Sequence, residues 1–261
     1  MSEPLRRSAQ LRVSGVHATW EPDPERDGAW VLFVGGEEQS TLFPATPARL
    51  VYEYLARMGH ALDLTAPAGA PLRVLHLGGG ALTFPRYVEA TRPGSTQTVV
   101  DLDSELMPFV LDSFPLAHPE LAKILIGDVR ELLAEAAEDG PFDVTVLDIA
   151  LGPDSPARLL EQSFAAELVA SVTGEGLLLV NIGDDPPLRT THALVRAFRA
   201  AGASVWVTAQ ADMFTGRYAG NLVLGASRRR WPEAKLEALQ AAGPHPAGLL
   251  AGLDLDGLGE P

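Results

Sequence analysis

Apolar and polar positions along this 261-residue chain change rhythm near residue 70. Before it, residues 11–20 alternate one by one, the pattern of a half-buried strand. A polar turn with two prolines occupies residues 21–28. An apolar run at 29–34, the pair Gly35-Gly36 and a returning run at 38–43 follow. Together these predict a small antiparallel sheet. Thr46 and Pro47 have the residue types of an N-cap and a first helical position. Leu50, Tyr54, Leu55, Met58 and Leu62 then recur at helical spacing and predict a core-facing helix.

From residue 71 the pattern alternates between strand and helix. Strands are predicted at 72–77, 96–102, 123–126, 142–147, 176–181, 205–209 and 221–226. Helices are predicted at 84–91, 104–114, 129–138, 163–172 and 187–201, with a loop of Gly152, Pro153 and Pro156 between. Such alternation implies a parallel sheet covered on both faces, with right-handed crossovers. No helix separates the last two strands, so they close the sheet as an antiparallel pair. The predicted fold is α/β: a seven-stranded Rossmann-like sheet of the class I methyltransferase layout behind a small N-terminal antiparallel β domain. The expected division is 1–45 for the β domain, 46–70 for a connecting helix and linker, 71–230 for the Rossmann-like domain, and 231–261 for a C-terminal helix and flexible tail.

Chemistry concentrates at the ends of the predicted strands. Gly78, Gly79 and Gly80 stand where the first long strand hands over to a helix, a place where backbone must approach a ligand closely. The dinucleotide pattern G-x-G-x-x-G is not met, because Thr83 occupies its last position. Asp101 and Asp103 end the next strand about twenty residues on, where an acid accepts ribose hydroxyls. Asp101 is assigned that contact and Asp103 the cap of the following helix. Asp128 ends the third strand and serves either a ligand or the helix behind it. Asp148 ends the fourth, where an acid holds or deprotonates an attacking amine. Gln39, His76, Asp184 and Asp185 are further polar candidates.

Composition narrows the choices. No cysteine is present, which excludes disulfides, thiolate zinc sites and cysteine nucleophiles. None of the six histidines has the spacing of a metal pair, so no metal is expected. The net charge of −14 argues against a nucleic-acid partner, whose phosphates need a basic surface. The one basic cluster, Arg228-Arg229-Arg230, reads as a solvated strand end. The first residues lack the apolar core of a signal peptide, and no apolar run reaches bilayer length. A cytoplasmic protein with no membrane partner is the expectation.

In order and spacing, GGEEQSTLFPATPARLVYEYLARM, VLHLGGGALTFPRY, VVDLD, IGDVRELL, FDVTVLDI and GNLVLGAS resemble the spermidine/spermine synthase superfamily, especially its shorter bacterial spermidine synthase-like members. The resemblance implies an N-terminal β domain before a methyltransferase-like domain. It also implies aminopropyl transfer from decarboxylated S-adenosylmethionine to putrescine or a similar small-molecule amine, within a homodimer and without a metal. On that resemblance Gln39 contacts the nucleoside, Gly78 to Gly80 form the cofactor loop, Asp101 binds ribose, Asp128 the adenine side, and Asp148 is catalytic. The chain departs from the family at Ala81 and Leu82, where synthases read D-G after the glycines. It departs again at Leu151, where they place a second acid, and at Val51, where a tyrosine is expected and Tyr52 stands one residue on. The nucleoside half of the implied site is complete and the amine half is depleted. Three readings follow: an aminopropyltransferase, an S-adenosylmethionine-dependent methyltransferase of another acceptor, and a non-catalytic nucleoside-binding homologue.

Overall fold

The computed structural model describes residues 8–151 and 157–258. The front sheet has four antiparallel strands in sequence order: β1 (Ser8–Gln10), β2 (His17–Pro22), β3 (Trp30–Val34) and β4 (Glu37–Leu42). The alternating run at 11–20 is not one strand. It folds back at Gly15, whose φ of 74° suits glycine, and Leu11 N–H donates to Val16 O at 2.8 Å across the turn. Gly35 and Gly36 both have positive φ, as a two-residue hairpin turn requires.

Helix α1 (Glu53–Asp63) starts six residues later than Thr46 and Pro47 predicted. Residues 43–49 instead make two successive turns, with Thr46 N–H donating to Phe43 O and Arg49 N–H to Thr46 O. The Arg49 guanidinium stacks 4.1 Å above the Phe43 ring and holds this bend. Tyr52 remains extended because its hydroxyl is drawn to Glu38 at 2.5 Å and Thr41 at 3.1 Å, so helix begins at the next residue. The expected face of α1 is buried at Leu55, Met58 and Leu62.

The main sheet is built from β5 (Arg73–Leu77), β6 (Thr96–Asp101), β7 (Ala122–Ile126), β8 (Phe142–Leu151), β9 (Val172–Asp184), β10 (Ser204–Gln210), β11 (Gly220–Ser227) and β12 (Ala247–Ala251). Its spatial order is β12-β10-β11-β9-β8-β5-β6-β7. The five strands from β9 to β7 are parallel, and the other three run antiparallel to their neighbours. Among the described residues the sheet thus has eight strands rather than seven. The added one lies in the segment expected to be a flexible tail. It is held because β12 satisfies the free edge of β10, while Leu255 and Leu258 bury into the main core.

Helices α4 (Val129–Ala136), α5 (Gln162–Ser171) and α6 (Arg189–Ala200) cover one face of the sheet. Helices α1, α2 (Thr83–Thr91) and α7 (Glu233–Ala242) cover the other. A third apolar cluster joins the front sheet, through Leu11, Trp20, Leu32 and Leu42, to α3 (Leu106–Ser113) and to Ala81-Leu82. This cluster explains one departure from the synthase pattern. Leu82 precedes α2 with φ 57°, a left-handed conformation in which a leucine is strained by on the order of 1 kcal/mol. Its side chain is fully buried, which returns about 1.5–3 kcal/mol. Burial outweighs the strain, and the front sheet is fastened to the glycine loop. The predicted loop of Gly152, Pro153 and Pro156 lies outside the described residues.

Candidate active site

The carboxyl ends of β5, β6, β7 and β8 open under the front sheet into a crevice with two lobes. The first, about 400 Å³, is lined by Asp101, Leu102, Asp103, Asp128, Ile149 and Arg158 among others. The second, about 290 Å³, lies on the α1 side and is lined by Glu38, Tyr52, Tyr54, His76, Asp148 and Asn181 among others. Gln39, Gly78, Gly79, Gly80 and Asp148 line both. All seven residues singled out as binding or catalytic therefore border one crevice, whose place at the strand ends is where open α/β sheets bind ligands.

The glycine loop is shaped by contact. Gly78 has φ 103°, and a Cβ there would lie 2.1 Å from the Asp148 carbonyl oxygen. A Cβ on Gly79 would lie 2.9 Å from the Met107 side chain. Asp101 holds the loop from below: its Oδ2 accepts Gly79 N–H at 2.8 Å and Gly80 N–H at 3.3 Å. Its Oδ1 accepts Asp103 N–H at 3.2 Å. Burial raises the Asp101 carboxyl above the usual carboxylate range, against the opposing effect of these three donors. Asp101 is thus a structural anchor of the loop as well as a wall of the first lobe.

Asp103 does not cap α3. Its Oδ1 accepts Val13 N–H at 3.2 Å and Ser14 N–H at 3.4 Å, fixing the β1–β2 turn over the first lobe. The turn supplies backbone donors to it, while α3 begins without a side-chain cap. Asp128 does cap: its Oδ1 accepts Arg130 N–H at 2.9 Å at the start of α4. Its other oxygen pairs with Arg158 at 2.6 Å at the rim of the lobe. Leu102 is 48% exposed at the end of β6, an apolar surface inside the lobe.

Asp148 sits where the lobes meet and is half-buried. Its Oδ1 accepts the Asn181 amide at 2.9 Å and its Oδ2 the Tyr54 hydroxyl at 3.2 Å. Burial raises its pKa, and these two donors pull the other way. The Tyr54 hydroxyl is itself pushed up, first by burial and then by the Asp148 charge. The tyrosine beside Asp148 is thus Tyr54, three residues beyond Val51. Tyr52 lies outside the helix, stacks on Tyr54 with ring centroids 6.1 Å apart, and bonds Glu38. His76 lines the second lobe with Nε2 bonded to Gln97 Oε1 at 2.8 Å, and burial pushes it down to about 4, so it is neutral at pH 7. Asp184 is taken up by Thr191 at the start of α6.

Sequence reasoning missed Tyr54, Asn181 and Glu38. Tyr54 shares the helical spacing of the core residues. Asn181 was detectable, as a lone polar residue inside the apolar run 177–182. Glu38 carried no signal beyond its place in a hairpin. Among the described residues no group of three or more His, Asp or Glu side chains is placed to hold a metal. Nor is any helix there long and apolar enough to cross a membrane.

No protein-family profile matches the chain. A probable spermidine synthase from Corynebacterium glutamicum aligns with a TM-score of 0.85 and 25% identity, over 97% of this chain and 92% of that one. A spermidine synthase in complex with the transition-state analogue AdoDATO aligns at 0.58 and 16% identity, over 98% and 85%. Polyamine aminopropyltransferase 1 of Hyperthermus butylicus is 29% identical over 121 residues, 43% of this chain and 41% of its own length. The human eEF1A lysine and N-terminal methyltransferase is 29% identical over 121 residues, 42% of this chain and 17% of that protein. The matched region thus spans less than half of either curated relative. The resemblance to spermidine synthases extends over the whole fold, and the similar proteins are transferases.

Proposed function

We propose that this chain, with the fold of a spermidine synthase throughout, is an aminopropyltransferase that uses decarboxylated S-adenosylmethionine and an amine acceptor. One observation carries the reading: a nucleoside-sized lobe and a second lobe meet at one carboxylate, Asp148, which lines both. Ligand size and residue types support an adenosyl group in the first lobe. Asp101 would hold the ribose, Leu102 would lie against the base, and Asp128 would accept from its amino group. Gln39 lies at the junction, beside the position of the sulfur. When bound, the adenosyl sulfonium supplies an electrophilic carbon whose bond to sulfur breaks with its electron pair, leaving a neutral thioether.

The chain's own groups handle the acceptor. Asp148 accepts a hydrogen bond from the attacking nitrogen and takes the proton released when the new C–N bond forms. Its raised pKa makes it a better proton acceptor than an exposed aspartate. Tyr54 and Asn181 hold its two oxygens in place. Rate enhancement would rest on position, since two ligands are held in line in adjoining lobes.

A panel of thermal shifts tests this. Decarboxylated S-adenosylmethionine and methylthioadenosine should raise Tm, and putrescine should add to the rise. Stabilisation by S-adenosylmethionine with none by the decarboxylated form would overturn the reading in favour of a methyltransferase. No response to any of them would leave a non-catalytic protein.

A further inference from the structure

We propose that Glu38, on the front hairpin, selects the acceptor by binding a second cationic group in the second lobe, beside the Tyr52 hydroxyl; this rests on the transferase reading above. Glu38 lines that lobe and accepts the Tyr52 hydroxyl at 2.5 Å. Asp148 accepts the Tyr54 hydroxyl. The two rings lie nearly parallel, 15° apart in plane, with centroids separated by 6.1 Å. One wall of the lobe is therefore a pair of stacked aromatic rings with a carboxylate at each hydroxyl. A chain with an amine at one end and an ammonium at the other is the ligand that satisfies both carboxylates. Aromatic faces also favour a cation passing along them.

A second observation points to a ligand at the Asp148 end. Asn181 is only 7% exposed and lines the lobe. Its amide nitrogen is committed to Asp148, while its Oδ1 is buried with no hydrogen-bond donor. A buried acceptor left unpaired is costly, and an N–H of the reacting amine would satisfy it. Asn181 Oδ1 and Asp148 thus form the seat for the near nitrogen, and Glu38 the seat for the far one.

The strand that usually carries the second acid cannot supply it here. Residue 151 is Leu151, 1% exposed and packed in the core under α5 and α6. β8 continues as strand through that position, so the side chain is directed into the helix layer. The charge missing from β8 is supplied from β4.

The test uses the full chain and its Glu38→Gln variant, which keeps the Tyr52 hydrogen bond and side-chain size while removing charge. Calorimetric affinities are measured for putrescine, cadaverine and butylamine with methylthioadenosine present. The wild type should prefer the diamines to butylamine by roughly tenfold, and Glu38→Gln should erase that preference while binding butylamine as before. The methylthioadenosine affinity should be the same in both proteins. Diamine preference retained in Glu38→Gln, or absent from the wild type, overturns the role given to Glu38. A wild type that binds amines but no adenosyl ligand overturns the transferase reading instead, and the amine affinities still decide on Glu38.

Discussion

Replacing Asp148 by asparagine should make the protein more stable and less active, and the gain in stability should depend on pH. The wild-type side chain is half-buried, and its carboxylate receives two hydrogen bonds, from Asn181 and Tyr54. Bonds to a charged group contribute about 1.5–3 kcal/mol each, while removing the charge from water costs several kcal/mol. The upward pKa shows that desolvation wins. The ionised form is therefore a net liability to the fold. A carboxyl with a raised folded pKa contributes stability that is full below its unfolded pKa, about 4, and is lost as pH rises through the folded value. In Asp148→Asn that loss is absent. The new amide can also donate to Asn181 Oδ1, which otherwise has no partner, and accept from Tyr54. The Tm difference between variant and wild type should be smallest at about pH 4 and grow as pH rises, by roughly 2–4 °C for each kcal/mol. Scanning fluorimetry of both proteins across that range measures it. A difference that does not change with pH, or that turns against the variant as pH rises, would refute the claim that burial dominates at Asp148. Transfer activity should fall by about 10²–10⁴-fold if Asp148 takes the proton.

Three further outcomes follow from the same geometry. Tyr54→Phe removes a donor that lowers the Asp148 pKa, so the acid limb of the pH–rate profile should move to higher pH; an unmoved limb would separate Asp148 from the proton transfer. Gly78→Ala places a Cβ 2.1 Å from the Asp148 carbonyl at φ 103°, so soluble yield and Tm should collapse, whereas a well-folded variant would show that the loop can shift. Arg158→Ala breaks an ion pair whose arginine is 56% exposed, so stability should change by less than about 1 kcal/mol. The freed Asp128 oxygen should let methylthioadenosine bind more tightly in calorimetry; weaker binding would mean that Arg158 itself touches the ligand.

Much of this protein was legible from order and spacing because strand, turn and helix signals are local. The alternation from residue 71 placed each parallel strand within a few residues, and the acids at strand ends fell on one crevice because a parallel sheet puts all its carboxyl ends together. What local pattern could not convey was the partner of each group. Residues 11–20 alternate like a strand, yet Asp103, about 90 positions away, holds their middle in a turn. Thr46 and Pro47 look like a helix start, yet Tyr52 is anchored to Glu38 and delays the helix. The tail, rich in Gly, Ala and Pro, reads as flexible, yet residues 247–251 pair with the free edge of β10.

The same division runs through the site. The sequence by itself determined the residues of the first lobe, since glycines and acids at strand ends need only the fold to bring them together. The tertiary structure decided the other lobe. Tyr54, Asn181 and Glu38 come from a helix, a central strand and the front hairpin, and they act together only because three-dimensional packing closes the front sheet over the end of the large one. Tyr54 and Asn181 act on Asp148 through hydrogen bonding, and burial acts beside them, quantities set by neighbours in space and not by neighbours in the chain.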